Sequence, residues 1–162
     1  MLGCLAPNAA GAKQTWDGSA YGLCTITACA AGTTLQGSEC VGYCVNVGAT
    51  AVSTVSNTPG TFANTDPTNG PRGAGYYYDR YAVTLAAGQV INVTQTANTG
   101  FTDTFLYLYG SASCGVLAQD DDSAGNLNSR IIFTAPAAGT YYLLATTYTA
   151  GALGTYTLTV GP

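Results

Sequence analysis

The stretch YYYDRYAVTLAAGQVINV, residues 76–93, decides the fold class. It alternates apolar and polar residues with a period of two on both sides of a short Ala-Ala-Gly segment. The apolar residues that share a face are Tyr81, Val83 and Leu85 before this segment, and Ile91 and Val93 after it. A period of two places successive side chains on opposite faces of a β-strand. The stretch therefore predicts two consecutive strands joined by a turn, each with one face toward a core.

The chain has the same character from about residue 48 to its end. Thr, Tyr and Val dominate, helical signals are nearly absent, and turn clusters recur about every 8–12 residues. The predicted strands are 48–55, 76–85, 89–97, 103–110, 116–119, 129–135, 140–148 and 155–160, and 56–75 is a predicted polar loop. About eight antiparallel strands are enough for two sheets around one core, so the sequence predicts an all-β sandwich.

Several motifs of this region, taken as an ordered set, resemble the bacterial pre-peptidase C-terminal domain. They are Asp-x-Tyr with a Gly-Gln turn (79–89), Asp-Thr-x-Leu (103–106), Asp-Asp with Asn-Ser-Arg-Ile (120–131), Gly-Thr-Tyr-Tyr (139–142) and Gly-x-Tyr-x-Leu (154–158). The resemblance covers about residues 48–160 and leaves residues 1–47 outside. It implies an antiparallel, jelly-roll-like sandwich and a non-catalytic accessory role on secreted proteins. Some related domains bind collagen or carbohydrate.

Residues 1–47 form a separate region that is rich in cysteine. The six cysteines of the chain are Cys4, Cys24, Cys29, Cys40 and Cys44 in this region, and Cys114 far from it. Such a density is typical of a disulfide framework formed in an oxidising compartment. The alternative is a four-thiolate zinc site, but the cysteine spacing departs from the paired C-x2-C pattern and no His is present. We therefore predict a disulfide-stapled arm at 1–47 and a sandwich at 48–162, in an extracellular or cell-surface protein.

The composition excludes several classes of function. The 162 residues include four basic and eight acidic side chains, and a net charge of −4 offers no basic surface to nucleic acid. No run of about 18 apolar residues is present, so no membrane span is predicted. Because the chain has no His, neither a Ser-His nor a Cys-His nucleophile pair can form. We predict that the protein is not an enzyme and requires no cofactor.

Three adjacent carboxylates stand out in AQDDDSAGNLNSRIIF, residues 118–133. Calcium prefers about six to eight oxygen ligands from carboxylates, amides and carbonyls. The candidate calcium ligands are Asp103, Asp120, Asp121, Asp122 and Asn126. The alternative is a polar hairpin in which Asp and Asn side chains cap the N–H groups of a turn. The sequence leaves both interpretations open.

Two further predictions fall on the strands of the opening stretch. Asn92-Val93-Thr94 is an N-glycosylation sequon whose Asn92 faces outward, opposite the apolar Ile91 and Val93. Asp79 and Arg80 are predicted to form a cross-strand ion pair, and ligand binding by these residues is the alternative.

Two functions fit these features. The first is a structural or adhesive subunit of an extracellular assembly, such as a fibre, which self-associates through open sheet edges. The low charge, the Thr-rich strands and the Cys-rich arm favour this first function. The alternative is an accessory binding domain of a secreted hydrolase that recognises matrix protein or polysaccharide.

Overall fold

The computed structural model describes residues 48–68, 70–110 and 115–162, together with the backbone of four short strands within residues 1–47. The chain divides into two compact units, Met1–Tyr43 and Cys44–Pro162. The strands of the first unit are β1 (Ala9–Lys13), β2 (Thr25–Cys29), β3 (Thr33–Gln36) and β4 (Glu39–Gly42). β1 pairs with β2 and β3 with β4, each pair antiparallel.

The second unit contains two sheets built from the described strands. These strands are β5 (Thr50–Ala51), β6 (Ser56–Phe62), β7 (Tyr78–Leu85), β8 (Val90–Thr99), β9 (Thr104–Tyr109), β10 (Val116–Asp120), β11 (Ser129–Thr134), β12 (Gly139–Thr147) and β13 (Gly154–Gly161). The five-stranded sheet has the order β10-β9-β12-β7-β5, and the four-stranded sheet has the order β11-β8-β13-β6. The predicted all-β sandwich is confirmed. Among the described residues, no helix is long and apolar enough to cross a membrane.

The opening stretch connects the two sheets. β7 belongs to the five-stranded sheet and β8 to the four-stranded sheet, so these consecutive strands lie in different sheets and do not form a hairpin. The Gln89 side chain accepts a hydrogen bond from the Ala86 N–H at 2.9 Å, and the Gln89 N–H donates to the Ala86 carbonyl at 3.1 Å. Gly88 has a φ of 77°, which only glycine adopts without strain. The Ala-Ala-Gly segment is thus a corner between sheets.

The segment before β7 differs from the prediction. The predicted strand 48–55 is reduced to the two residues of β5, which pair in parallel with β7. Residues 56–62, predicted to be loop, form β6. The sequence SNTPGTF reads as a turn because of Pro59 and Gly60. However, β6 is an edge strand, where the missing N–H of a proline breaks no pairing.

The core lies between the two sheets and is made of alternate residues. Its main contributors are Tyr81, Val83, Leu85, Ile91, Val93, Leu106, Leu108, Tyr141, Leu143, Tyr156, Leu158 and Val160, none more than 6% exposed. Burial of each such side chain contributes about 1.5–3 kcal/mol. The face predicted from the opening stretch is therefore the core face. β9 and β12 are buried on both faces, which explains why they read as nearly continuous apolar runs.

Candidate functional site

The acidic loop, residues 121–128, joins β10 to β11. The carboxylate of Asp120 accepts hydrogen bonds from the backbone N–H groups of Ser123, at 2.9 Å, and Arg130, at 2.7 Å. The Ser123 hydroxyl donates to the other carboxylate oxygen. Both oxygens of Asp120 are therefore used to cap the turn and to attach it to β11, as in the polar-hairpin interpretation.

The second half of the acidic loop is a tight turn. Asn126 and Leu127 have positive φ values of 54° and 60°, and the Asn128 N–H donates to the Gly125 carbonyl at 3.1 Å. Two successive positive φ values are the pattern of a type I′ turn, in which a Leu is unusual. The Asn128 side chain accepts a hydrogen bond from the Ala97 N–H at 2.9 Å. This contact ties the turn to β8.

The structure brings Asp103 into the electrostatic field of the acidic loop. Burial raises the pKa of the Asp103 carboxyl, the charges of Asp122 and Asp121 raise it further, and Arg72 opposes them. Its Oδ1 atom is buried without a hydrogen-bond partner. Within the described ranges, no three acidic or cysteine side chains are grouped so that they could hold a metal ion. The calcium site stays a prediction.

Beside Asp103, Arg72 lies among aromatic rings. Its guanidinium carbon is 4.3 Å from the ring centroid of Phe105, 4.7 Å from that of Tyr76 and 4.9 Å from that of Tyr148. Its Nη2 donates to the Tyr148 carbonyl at 3.0 Å. Cation–π contacts of this kind stabilise by about 0.5–2 kcal/mol. They hold the segment before β7 against the start of β9 and the residue that follows β12.

A buried polar network on β7 and β13 was missed by the sequence analysis. The Tyr156 hydroxyl donates to Oδ2 of Asp79 at 2.6 Å and lies 2.7 Å from the Tyr81 hydroxyl, which therefore donates to it. Burial raises the pKa of Asp79; the hydrogen bond from Tyr156 opposes this effect, and the charge of Asp66 adds to it. Burial also raises the pKa of Tyr81 to about 12 and raises that of Tyr156.

The predicted ion pair between Asp79 and Arg80 does not form; both residues lie in the described part of β7. Neighbouring residues of a strand point to opposite faces. Asp79 faces Tyr156, whereas the guanidinium carbon of Arg80 lies 5.6 Å from the ring centroid of Tyr78. The alternation that identified the strand already separates the two side chains.

A polar cleft of about 270 Å³ opens beside this network. Its lining includes Thr50, Thr58, Thr61, Asp79 and Arg80. The cleft combines a carboxylate, a guanidinium group and hydroxyl groups, so it offers both donors and acceptors to a small polar group. Glycoside hydrolysis requires two carboxylates, one on each side of the bond that is cleaved. Among the described residues that line this cleft, Asp79 is the one that carries a carboxylate.

The remaining predicted sites have different outcomes. Asn92 faces outward, because its neighbours Ile91 and Val93 are fully buried. It lies within paired β8, opposite Ile132 and Gly161, and its glycosylation stays a prediction. The side chains of the predicted disulfide cysteines Cys4, Cys24, Cys29, Cys40, Cys44 and Cys114 lie outside the described residues.

Comparisons with known proteins agree with the fold. Residues 77–147 match the model of the bacterial pre-peptidase C-terminal domain. The chain is similar to the crystal structure of the pre-peptidase C-terminal domain of a collagenase from Bacillus anthracis. The TM-score is 0.54 at 20% identity, and the match covers 69% of this chain and 93% of that chain.

Two other similar structures are periplasmic inhibitors of g-type lysozyme. The inhibitor from Aeromonas hydrophila has a TM-score of 0.46 at 14% identity and covers 68% of this chain and 96% of that chain. The inhibitor from Salmonella Typhimurium has a TM-score of 0.42 at 17% identity, and the match covers 69% of this chain and 97% of that chain. No curated protein sequence matches the chain significantly.

Proposed function

We propose that this chain, whose residues 77–147 form a bacterial pre-peptidase C-terminal domain, acts outside the cell as a non-catalytic module that binds a matrix polymer. The family match carries the proposal, since such domains are accessory parts of secreted proteins. The collagenase domain supplies the same fold. The collagenase likeness does not supply the ligand, because 20% identity supports the fold alone.

The chemistry of the described residues supports binding. The polar cleft offers Asp79 and Arg80 at its wall, and the sheet surfaces carry many neutral hydroxyl groups. The chain has no His, so the common nucleophile-activating pairs are excluded by composition. Groups that donate and accept hydrogen bonds without a reactive partner are suited to recognition.

A retention assay with the intact, non-reduced chain tests the proposal. The chain is mixed with insoluble neutral polysaccharide, with immobilised sulfated polysaccharide and with gelatin, and the bound fraction is measured after sedimentation. We expect saturable retention on one of these polymers. The heat-unfolded chain serves as the control for non-specific adsorption. Equal retention of folded and unfolded chain, or no retention on any polymer, would contradict the proposal.

A fibre subunit is the second candidate function, supported by apolar groups at the open sheet edges. β10, an edge of the five-stranded sheet, exposes Val116 and Leu117, which are 46% and 47% exposed. β11, an edge of the other sheet, exposes 63% of Ile132. Unpaired edges of this kind can add a strand from a second chain.

Electron microscopy of the native, non-reduced protein tests the second candidate. Ordered filaments that disappear in Leu117→Lys would support a fibre subunit. Leu153→Lys is the matched control, since Leu153 is similarly exposed, at 42%, and lies outside the strands, directly before β13. Monodisperse particles of the unaltered chain would exclude the fibre and leave the binding module.

A further inference from the structure

The outer face of the four-stranded sheet is composed mainly of threonine and asparagine. In β13, Tyr156, Leu158 and Val160 are buried, so the alternate residues point away from the core. The outward Thr and Asn residues of the three neighbouring strands are Asn57, Thr61, Asn92, Thr94, Thr96, Thr155, Thr157 and Thr159. We name this set the threonine face.

The threonine face is ordered in two directions. Thr159 pairs with Thr94 and Thr157 pairs with Thr96 across neighbouring strands. Strands in a sheet lie about 4.7–4.9 Å apart, so the residues of one row follow one another at about that separation. Successive outward residues of a strand follow at about 6.6 Å, twice the rise per residue. The face is therefore a regular array of Thr and Asn residues.

Hydrogen bonds between strands fix these side chains. The hydroxyls of Thr99 and Thr155 lie 2.7 Å apart. The Asn98 amide donates to the Thr157 hydroxyl at 3.0 Å. The Thr159 hydroxyl donates to Asn57 at 2.8 Å. Side chains that are already held in one rotamer lose less entropy when a ligand binds, which favours binding.

The threonine face carries very little charge for an exposed sheet surface. Arg130, opposite Thr94 on β11, is the one charged side chain among the outward residues of the four strands, all of which lie within the described ranges. Exposed sheets usually carry Lys or Glu, which prevent association with other chains. Apolar groups border the array instead, since Ile132 is 63% exposed and Val90 is 46% exposed.

We propose that the threonine face binds a neutral polysaccharide, an inference that rests on the proposed function and names its partner. Sugar hydroxyls donate and accept hydrogen bonds, as Thr hydroxyls and Asn amides do. A sugar ring also has apolar C–H faces, which can pack on Ile132 and Val90. An almost uncharged surface gives no electrostatic attraction to a polyanion or to a basic protein. The face therefore matches an uncharged, hydroxyl-rich polymer.

Charge insertion tests this assignment. The double variant Thr94→Glu, Thr157→Glu places two carboxylates within the face. Burying them against a neutral polymer without partners is unfavourable, so we expect a loss of affinity of at least about tenfold. Thr84→Glu is the matched control, because Thr84 is an exposed strand residue on the outer face of the five-stranded sheet. Thr157→Val, which removes a hydroxyl and keeps the shape, is the second variant in case the double variant is unstable.

Retention of the intact chain on cellulose, chitin, heparin resin and gelatin is the measurement, with thermal unfolding as the check on folding. Binding to cellulose or chitin that is lost in the double variant and kept in Thr84→Glu supports the proposal. Unchanged binding of the folded double variant overturns the threonine face and leaves the proposed function standing. Binding to heparin or gelatin alone overturns the neutral ligand and also leaves that function. No binding to any polymer overturns both.

Light scattering tests whether the threonine face binds a second copy of the chain instead. If the unaltered chain is a dimer that dissociates in the double variant and remains in Thr84→Glu, the face binds a second copy of the chain. That result overturns the polysaccharide proposal.

Discussion

The hydroxyl groups of Tyr81 and Tyr156 lie 2.7 Å apart although the two residues belong to different sheets. Tyr156 also donates to Asp79, so a continuous series of hydrogen bonds links β7 to β13 across the space between the two sheets. All of these hydrogen bonds can form only when the two sheets pack in one arrangement. They therefore favour the observed pairing of sheets over other apolar packings.

Removal of the Tyr156 hydroxyl, the central group of this network, is expected to destabilise the folded chain. Tyr156→Phe leaves the half-buried Asp79 carboxylate without its donor and should lower the free energy of unfolding by about 1–3 kcal/mol. Tyr81→Phe removes an outer donor and should cost less, about 0.5–1.5 kcal/mol. Urea unfolding measures both. Tyr148→Phe, at a residue that is 48% exposed, is the control. Equal stability of Tyr156→Phe and the unaltered chain would refute the role of the network.

The raised pKa of Asp79 makes stability depend on pH. The carboxyl binds its proton more tightly in the folded chain than in the unfolded chain, where its pKa is near 3.8. The contribution of the Asp79 carboxyl to the free energy of unfolding is therefore fully present below pH 3.8. It is lost as the pH rises through the pKa that this group has in the folded chain. Asp79→Asn should reduce that loss.

Urea unfolding at a series of pH values from below 3.8 to neutral checks this expectation. Asp103 also has a raised pKa. The free energy of unfolding of Asp79→Asn should therefore still decrease as the pH rises, but by less than that of the unaltered chain. The combined variant with Asp103→Asn should flatten the profile further. A profile unchanged by Asp79→Asn would show that the carboxyl is not desolvated.

Gly60 should be irreplaceable for a steric reason. A Cβ atom at this position would lie 2.2 Å from Cζ of Tyr156, so Gly60→Ala must displace the ring or the edge strand β6. Overpacking of this kind costs about 1–3 kcal/mol. Gly161→Ala in the same sheet is the control, since its Cβ would meet nothing within 4 Å. Thermal unfolding of the two variants should differ clearly, and equal midpoints would contradict the packing of Tyr156.

The two interpretations of the acidic loop are separable by mutation. If Asp120 caps the turn, Asp120→Ala should lower the free energy of unfolding by about 1–2 kcal/mol, and by the same amount in EDTA and in calcium. Asp122→Ala, at an exposed residue of the same loop, should change little. We expect this pattern from the hydrogen bonds of Asp120. Stabilisation by calcium that both variants abolish would establish the metal site instead.

The sequence predicted most of the fold because the sandwich strands alternate. Residues 76–93 place Val83 and Ile91 on core faces without knowledge of any partner strand. β6 was missed because Pro59 and Gly60 resemble a turn, and only its position at the sheet edge makes them acceptable in a strand. Capping by Asp side chains was one of two interpretations that the sequence left open, and only the structure identifies Asp120 as the residue that caps the turn. The Asp79 network could not be predicted, since its partner Tyr156 is distant in sequence and lies on the other sheet.

The most direct test of the binding account is a map of backbone amide chemical shifts for the intact chain, titrated with soluble neutral oligosaccharides of cellulose and chitin. The account predicts saturable shifts concentrated on β8 and β13, at and beside Thr94 and Thr157. Shifts confined to the cleft at Asp79 and Arg80 would place the ligand elsewhere. No shifts with either oligosaccharide would contradict the claim that the threonine face binds a neutral polysaccharide.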